Sequence, residues 1–593
     1  MRSVMRCAPW FVAPLLSTIA LSFAAPRAAR ACGGTFCDGQ SGMPVDQSGE
    51  SVLFIQDGDA VEAHIQIQVS PQQDPVSFAW MIPLTAVPEF SVGSQPLFDA
   101  LLAATVPTYG FTTASEYCGG DDKSNGGGAK FDLGGGGFIS EPDAGDGFGP
   151  PDDGGPDIHY RGTVGAFDVV VLADASAEAL MQWLGDAGYQ QDEAAAPIFQ
   201  EYLDEGYLFA AFKLQAGAGV DEVHPVVLRF ASGEPCVPLR LTRIAAVEDM
   251  EVRVFALADD RVVPSNYKHV LVNPALLDWP NFAANYKEVI AEAVDAFMAD
   301  GRAFVTEYAG GSDVVNQAGL WSSSWDASAF VGKPVLEVIK ILEQQGLATC
   351  YGRACSFFHP LMQPLLREFV PVPDGVAEGD FYSCLECYEP LIDAKLWDDG
   401  QAFAAALDER IVAPGAHARD LLDAWPYLSR LYTLISPAEM TDDPIFHVLD
   451  TLPDVARQQT ATRTRLCSDD FVWTLPDGRE VYVPAGDPWP EFPGEMPWAE
   501  DIEEMPLVGA PLPLVDNTEV IDVMLADWNA AHGWPATPGA ESTTSGGDGE
   551  ETSDGDGEDV PKPGCGCASA GERGGASALW IVFVAALAGR RRR

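Results

Sequence analysis

The sequence predicts an α+β fold. It reads as an antiparallel-rich sheet with packed helices in the N-terminal part, a more helical second part, a disordered acidic stalk and a C-terminal transmembrane helix. Three observations predict it. Short alternating apolar runs follow one another with helical stretches interspersed, which argues against a doubly wound parallel sheet. Residues 536–563 hold Pro, Gly, Ser, Thr, Asp and Glu and almost nothing apolar, too little to bury a core. Residues 574–589 carry no charge and run straight into the arginines at 590–593.

The 593 residues include 88 acidic and 34 basic side chains, a formal charge of −54. Such a surface repels nucleic acid and anionic membrane, so no nucleic-acid partner is expected. Hydrophobic residues make up 47% and charged residues 21%, an ordinary globular composition. The charge reads as solubility, or as attraction for divalent cations.

Residues 1–31 read as a signal peptide. Arg2 and Arg6 precede an apolar stretch over 7–25, and Ala29-Arg30-Ala31 places small residues where a signal peptidase cuts. Cleavage there leaves Cys32 first, a position where a lipid attaches in lipoproteins, although Ala29 replaces the bulky aliphatic that such a signal wants.

A first domain is expected over 32–329. Residues 51–56 and 61–69 flank Asp57-Gly58-Asp59-Ala60 as a hairpin, because Gly58 tolerates the positive φ of a tight turn. Val61, Ala63 and Ile65 face one side of the second strand; Glu62, His64 and Gln66 face the other, where His64 reads as solvated or hydrogen-bonded. Strands are expected at 78–82, 167–172, 207–214, 223–230, 237–244 and 252–258. Helices are expected after Ser94, at 176–188, at 196–204 and at 285–299. Residues 119–157 are Gly-rich and read as a long mobile loop.

A second, more helical stretch is expected over 330–535. Helices are read at 334–345, 401–411 and 417–425. Ser436-Pro437-Ala438-Glu439 has the form of a capping box with Pro at the first helical position. A hairpin is read at 471–475 and 480–483 around Pro476-Asp477-Gly478. Residues 536–573 form the stalk with its Cys motif. Residues 574–593 form the membrane segment, where sixteen uncharged residues span roughly 24 Å as a helix, a little under a bilayer core. The arginines should stay cytoplasmic and leave the bulk of the chain outside.

Cysteines need pairing outside the cytoplasm. Cys32 with Cys37 and Cys350 with Cys355 are close enough for disulfides. Cys384-Leu385-Glu386-Cys387 suits a redox pair or metal ligands, and Cys350, Cys355, Cys384 and Cys387 together have the makings of a four-thiolate zinc site. Zinc there, or calcium on the Asp-Gly pairs of the stalk, are the cofactor readings; a disulfide set without cofactor is the main one. No His-Glu-x-x-His, nucleophile elbow or P-loop occurs. Trp321 and Trp325 read as buried aromatics before they read as a carbohydrate platform.

Ala31-Cys32-Gly33-Gly34-Thr35-Phe36-Cys37-Asp38, the run from Pro44 to Ile55, Ser77-Phe78-Ala79-Trp80-Met81-Ile82-Pro83-Leu84 and Gln182-Trp183-Leu184-Gly185-Asp186-Ala187-Gly188-Tyr189 resemble the bacterial family called domain of unknown function 2330. The resemblance covers residues 32 to about 310. It implies an extracytoplasmic address and brings no catalytic residue. Gly564-Cys565-Gly566-Cys567, the short apolar helix and the terminal arginines resemble the myxobacterial C-terminal sorting tail (MYXO-CTERM). That likeness implies surface presentation by a sorting machinery, with processing near Cys565 or Cys567.

The functional expectation is a membrane-anchored, cell-surface protein with a binding, scaffolding or envelope role, its partner an extracellular protein or glycan. A metal-assisted secreted hydrolase, or thiol–disulfide exchange at Cys384 and Cys387, are the alternatives.

Overall fold

A computed structural model describes residues 34–38, 47–69, 78–118, 156–173, 176–186, 189–190, 195–215, 220–492 and 494–535. The hairpin forms as its turn chemistry dictates. β1 (Gln47–Asp57) and β2 (Ala60–Val69) pair antiparallel with Asp57 opposite Ala60, and Gly58 takes φ 62°. They sit inside a ten-stranded sheet whose other members are β3 (Glu89–Val92), β4 (Val226–Phe230), β5 (Ala246–Ala258), β6 (Lys268–Val272), β7 (Ala303–Gly311), β8 (Tyr427–Ile435), β9 (Ala499–Glu504) and β10 (Leu512–Asp516). The order is β10-β9-β6-β7-β8-β5-β1-β2-β4-β3. Pairs β1–β5 and β6–β7 are parallel and the rest antiparallel.

Side-chain alternation sends this sheet's two faces to different partners. Val52, Phe54, Val61, Ala63, Val226 and Val254 pack against Trp80, Val169 and Phe212 of a second, six-stranded sheet. On the far side of that sheet, Met81, Val170 and Ala211 meet the helices Ala177–Asp186 and Ala195–Asp204. The opposite face of the ten-stranded sheet carries Leu53, Ile55, Phe255 and Leu257. These residues pack beneath α1 (Gln95–Thr105) and α3 (Ala413–Ala424). Farther along the same face, Val305, Tyr432 and Leu434 lie under α2 (Tyr286–Val294). Two sheets thus share one apolar interior, with helices on both outer sides.

Residues on both sides of position 330 build this sheet. β8 lies between β7 and β5. The composition change at 329/330 therefore marks a helical insertion, not a break in the sheet. That insertion, from Val338–Gln345 to Gln401–Leu407, packs its own core around Phe330, Leu342, Leu366, Phe381 and Phe403. A smaller sheet joins Thr108–Ser115 in parallel to Gln458–Arg465, which continues into the predicted hairpin Phe471–Thr474 and Glu480–Val483.

Two local expectations are corrected. Residues 237–244 are not a strand: Leu239–Thr242 is a helical turn entered through Pro238, whose ring lacks the N–H that a ladder needs. The Ser436 box does not start a helix. Glu439 does accept from the Ser436 N–H at 2.8 Å, but the Ser436 hydroxyl accepts from the Asp249 N–H at 3.1 Å, and the chain only turns. Among the described residues no helix is long and apolar enough to cross a membrane. The signal peptide, stalk and C-terminal helix read from the sequence, and most of the Gly-rich segment, lie outside the described residues.

Candidate functional site

The polar face of β2 is not solvated. Glu62 is 5% exposed and His64 1% exposed. The period-2 pattern is correct, since Val61, Ala63 and Ile65 face the inter-sheet core. What the pattern does not contain is α3, which arrives some 350 residues later and covers the other face. Buried polar groups on a sheet face are retained at a cost and need partners.

His417 of α3 is one partner. Its helix continues from Gln401–Leu407 through a π-helical turn at Asp408–Val412, an insertion of the kind that recurs at functional sites. Gly415 lets α3 come close. A Cβ there would lie 2.2 Å from the Leu320 carbonyl oxygen.

Glu62 Oε1 accepts hydrogen bonds from His64 Nε2 at 2.8 Å and from His417 Nε2 at 2.5 Å. The two imidazoles stack at 5.8 Å with 9° between their planes. Arg229, directly across from Glu62 in the β4–β2 register, donates to Oε2 at 2.9 Å. Each carboxylate oxygen thus has its own cationic or imidazole partner.

The electrostatics follow from this geometry. Burial alone would raise the Glu62 carboxyl. The hydrogen bonds from His417 and His64, and their charge, reverse that and hold it below the usual carboxylate range. Burial pushes His64 down, only partly offset by Glu62, so it favours the neutral imidazole. The bond to Glu62 raises His417, which stays half-exposed.

A cleft of about 240 Å³ opens over these groups, lined by Ile55, Asp57, Arg229, His417, Leu421 and Trp425 among others. Glu62 itself is among the residues that line it. Two imidazole nitrogens and a carboxylate oxygen lie within 4.8 Å of one another, a donor set suited to a divalent cation. Among the described residues a second group meets that spacing, Glu116 with Cys118 and Cys467, but its two sulfurs are joined in a disulfide.

The cysteines singled out in the sequence lie elsewhere. Cys350 and Cys355 are bridged across a two-stranded hairpin, and Cys384 and Cys387 are bridged to each other. The four sulfurs pair as two disulfides and form no four-thiolate zinc centre. Cys384 closes the C-terminal end of the short helix Glu378–Ser383, with Glu386 and Glu389 following. Cys384 also precedes the 3-10 helix Leu385–Leu391, in whose first turn Cys387 lies. Cys118 pairs with Cys467 across 349 positions, a link no local spacing announces. Cys37 lies on the strand Gly34–Asp38. Cys32, Cys565 and Cys567, with the Asp-Gly pairs read for calcium, fall outside the described residues.

Two other buried histidines are held by local backbone hydrogen bonds. His224 donates from Nδ1 to the Pro225 carbonyl at 2.8 Å and accepts from the Ala166 N–H at 3.0 Å. His359 accepts from the Leu361 N–H at 3.2 Å. Trp321 and Trp325 are half-buried, with the Arg419 guanidinium 4.1 Å above the Trp321 ring.

Fold and site define a two-sheet α+β protein with a histidine–carboxylate cleft on its helix-covered face. The chain belongs to the family described as an uncharacterized protein conserved in bacteria (DUF2330), whose model matches residues 26–323. Glu62, His64 and Arg229 fall within that span and His417 beyond it. No curated protein and no solved structure matches the chain.

Proposed function

We propose that this chain is exported, held at the cell surface by its C-terminal segment, and captures a ligand in the cleft above Glu62. The observation that carries the binding role is a buried carboxylate, clamped by two imidazoles and a guanidinium, that still lines an open cleft. The address rests on the sequence: the signal-like N-terminus, the acidic stalk, and the ordered Cys motif, apolar stretch and arginine run that resemble the MYXO-CTERM tail. Three disulfides among the described residues suit an oxidising compartment. The membrane and a sorting machinery acting near Cys565 or Cys567 are the implied partners. An extracellular protein or glycan is the implied ligand source.

Two measurements test this reading. A membrane-impermeant amine label applied to intact cells should mark the protein; labelling only after lysis would reject the surface address. Thermal-shift screening of the full-length chain should find compounds that stabilise it but not Arg229→Ala. Identical shifts in both proteins would move the ligand elsewhere.

A second reading, metal-assisted hydrolysis, is favoured by one feature: both histidine Nε2 atoms converge on a single carboxylate oxygen. Chelator-sensitive turnover of peptide, ester or glycan substrates, lost in His417→Ala, would establish it. Its absence across those classes leaves binding as the role.

A further inference from the structure

We propose that His64, His417 and Glu62 are the three protein ligands of a zinc ion seated at the floor of the cleft. The proposal rests on the reading of this cleft as the binding site and names what occupies it.

Three independent features of the site lead there. The first is convergence. Nε2 of His64 and Nε2 of His417 approach the same oxygen, Glu62 Oε1, at 2.8 and 2.5 Å. Ligand atoms around a tetrahedral zinc stand about 3.3 Å apart. A retreat of less than about 1 Å by each ring then places an ion among the three atoms. His417 has room for it, being half-exposed on the cleft side of α3.

The second is the carboxylate's other oxygen. Glu62 Oε2 is held by Arg229 Nη1 at 2.9 Å. That bond fixes the carboxylate plane and leaves Oε1 alone facing the imidazoles, a one-oxygen ligand with an orienting outer partner. A carboxylate whose only role was to neutralise Arg229 would have no need of two further imidazoles on its free side.

The third is an unexplained cost. His64 is fully buried, and Nε2 makes its one side-chain hydrogen bond, to Glu62. Leu53, its cross-strand partner on β1, shows that apolar side chains suit this face. A histidine kept in this buried place is retained for what its Nε2 does.

Two imidazoles and one carboxylate match the donor set of zinc sites that keep a coordination position open. Here that position faces the cleft. Zinc also fits an oxidising compartment, because it has no redox chemistry of its own. Two ligands come from a strand and the third from a helix far along the chain, so the ion would also pin α3 to the sheet.

The test uses the full-length chain with its disulfides intact, stripped by chelator and titrated with zinc chloride by calorimetry. Excess calcium is included to occupy the acidic surface. One zinc per chain is expected, with affinity falling at least about 100-fold in His417→Ala. His417→Cys should recover most of that loss, because a thiolate is an equally good zinc ligand. His417 is half-exposed, so these variants should keep the wild-type circular dichroism spectrum. No zinc binding above background in the wild-type chain overturns the proposal. So does stoichiometric binding of unchanged affinity in His417→Ala. If zinc fails while Arg229→Ala still abolishes small-molecule stabilisation, the cleft remains a binding site and only the metal is withdrawn.

Discussion

Glu62 on β2 and His417 on α3 meet at 2.5 Å although 355 positions separate them in the chain. The carboxylate is buried and the imidazole half-exposed, so the contact joins the interior of the sheet to the floor of an open cleft. Stability and the proposed ligand capture therefore run through the same few atoms, and both can be measured.

Glu62→Gln keeps the side-chain volume and removes the charge. Arg229 and His417 then face a neutral amide at the edge of a buried face. Breaking one side of a buried charge network typically costs about 3–5 kcal/mol. Arg229 reaches solvent, so about 2–3 kcal/mol is expected here. Urea unfolding checks it; a change under about 0.5 kcal/mol would mean that the network behaves like an exposed ion pair.

Gly415→Ala tests whether the approach of α3 matters. The added methyl meets the Leu320 carbonyl, a backbone atom that cannot swing aside. The helix must shift by tenths of an ångström or more, and His417, two residues on, moves with it. We expect a loss on the order of 1–3 kcal/mol in unfolding free energy. Zinc affinity should fall by about tenfold or more.

His224 sets a pH window. Burial, with the nearby charge of Arg410 adding to it, pushes this imidazole from 6.5 down to about 4. The unfolded chain therefore binds a proton between those values that the folded chain refuses. Stability is full above pH ~6.5 and falls as the pH drops toward 4, by on the order of 3 kcal/mol from this one group. Urea midpoints for the wild type and His224→Gln at pH 7 and pH 5 should converge at the lower pH. Parallel losses in the two proteins would remove His224 as the cause.

The Cys118–Cys467 bridge closes a loop of 349 positions at the end of the parallel pair Thr108–Ser115 and Gln458–Arg465. Long loops gain most from cross-linking in the chain-entropy account. Replacing both cysteines by serine should cost about 3–5 kcal/mol. Denaturant midpoints in the absence of reductant measure it. A cost no larger than that of opening Cys350–Cys355 would show that residual structure, not loop length, decides.

Cys384 and Cys387 should be inert as an exchange pair. Their sulfurs are joined to each other within a short helical turn, away from the cleft above Glu62. Insulin reduction should proceed at the background rate, with or without both cysteines changed to serine.

Local chemistry was legible in the sequence. Gly58 marked the β1–β2 turn, and Ser94 marked the start of α1, where it caps the Leu97 N–H at 3.3 Å. Pro238 also marked its place, but a β-branched and aliphatic run obscured it. The site was half legible. Alternation put Glu62, His64 and Gln66 on one face, and nothing nearby in the chain says that this face is covered. Burial there depends on Ala418, Leu421 and Leu422, which read only as one side of a distant amphipathic helix. The same holds for Cys118 and Cys467, whose pairing depends on strands that meet late. Non-local contacts are what a pattern of period 2 or 3.6 cannot encode.

The placement of β8 has a consequence for biosynthesis. It fills the slot between β5 and β7, whose own residues end at position 311, yet it is not made until Tyr427 and beyond. Until then the nascent polypeptide carries two unsatisfied edges separated by the width of a missing strand, and any neighbouring chain with an extended apolar segment is a substitute. The interior cannot close in the order in which the ribosome writes it. Collapse of the sheet must wait until the chain has been made through Ile435.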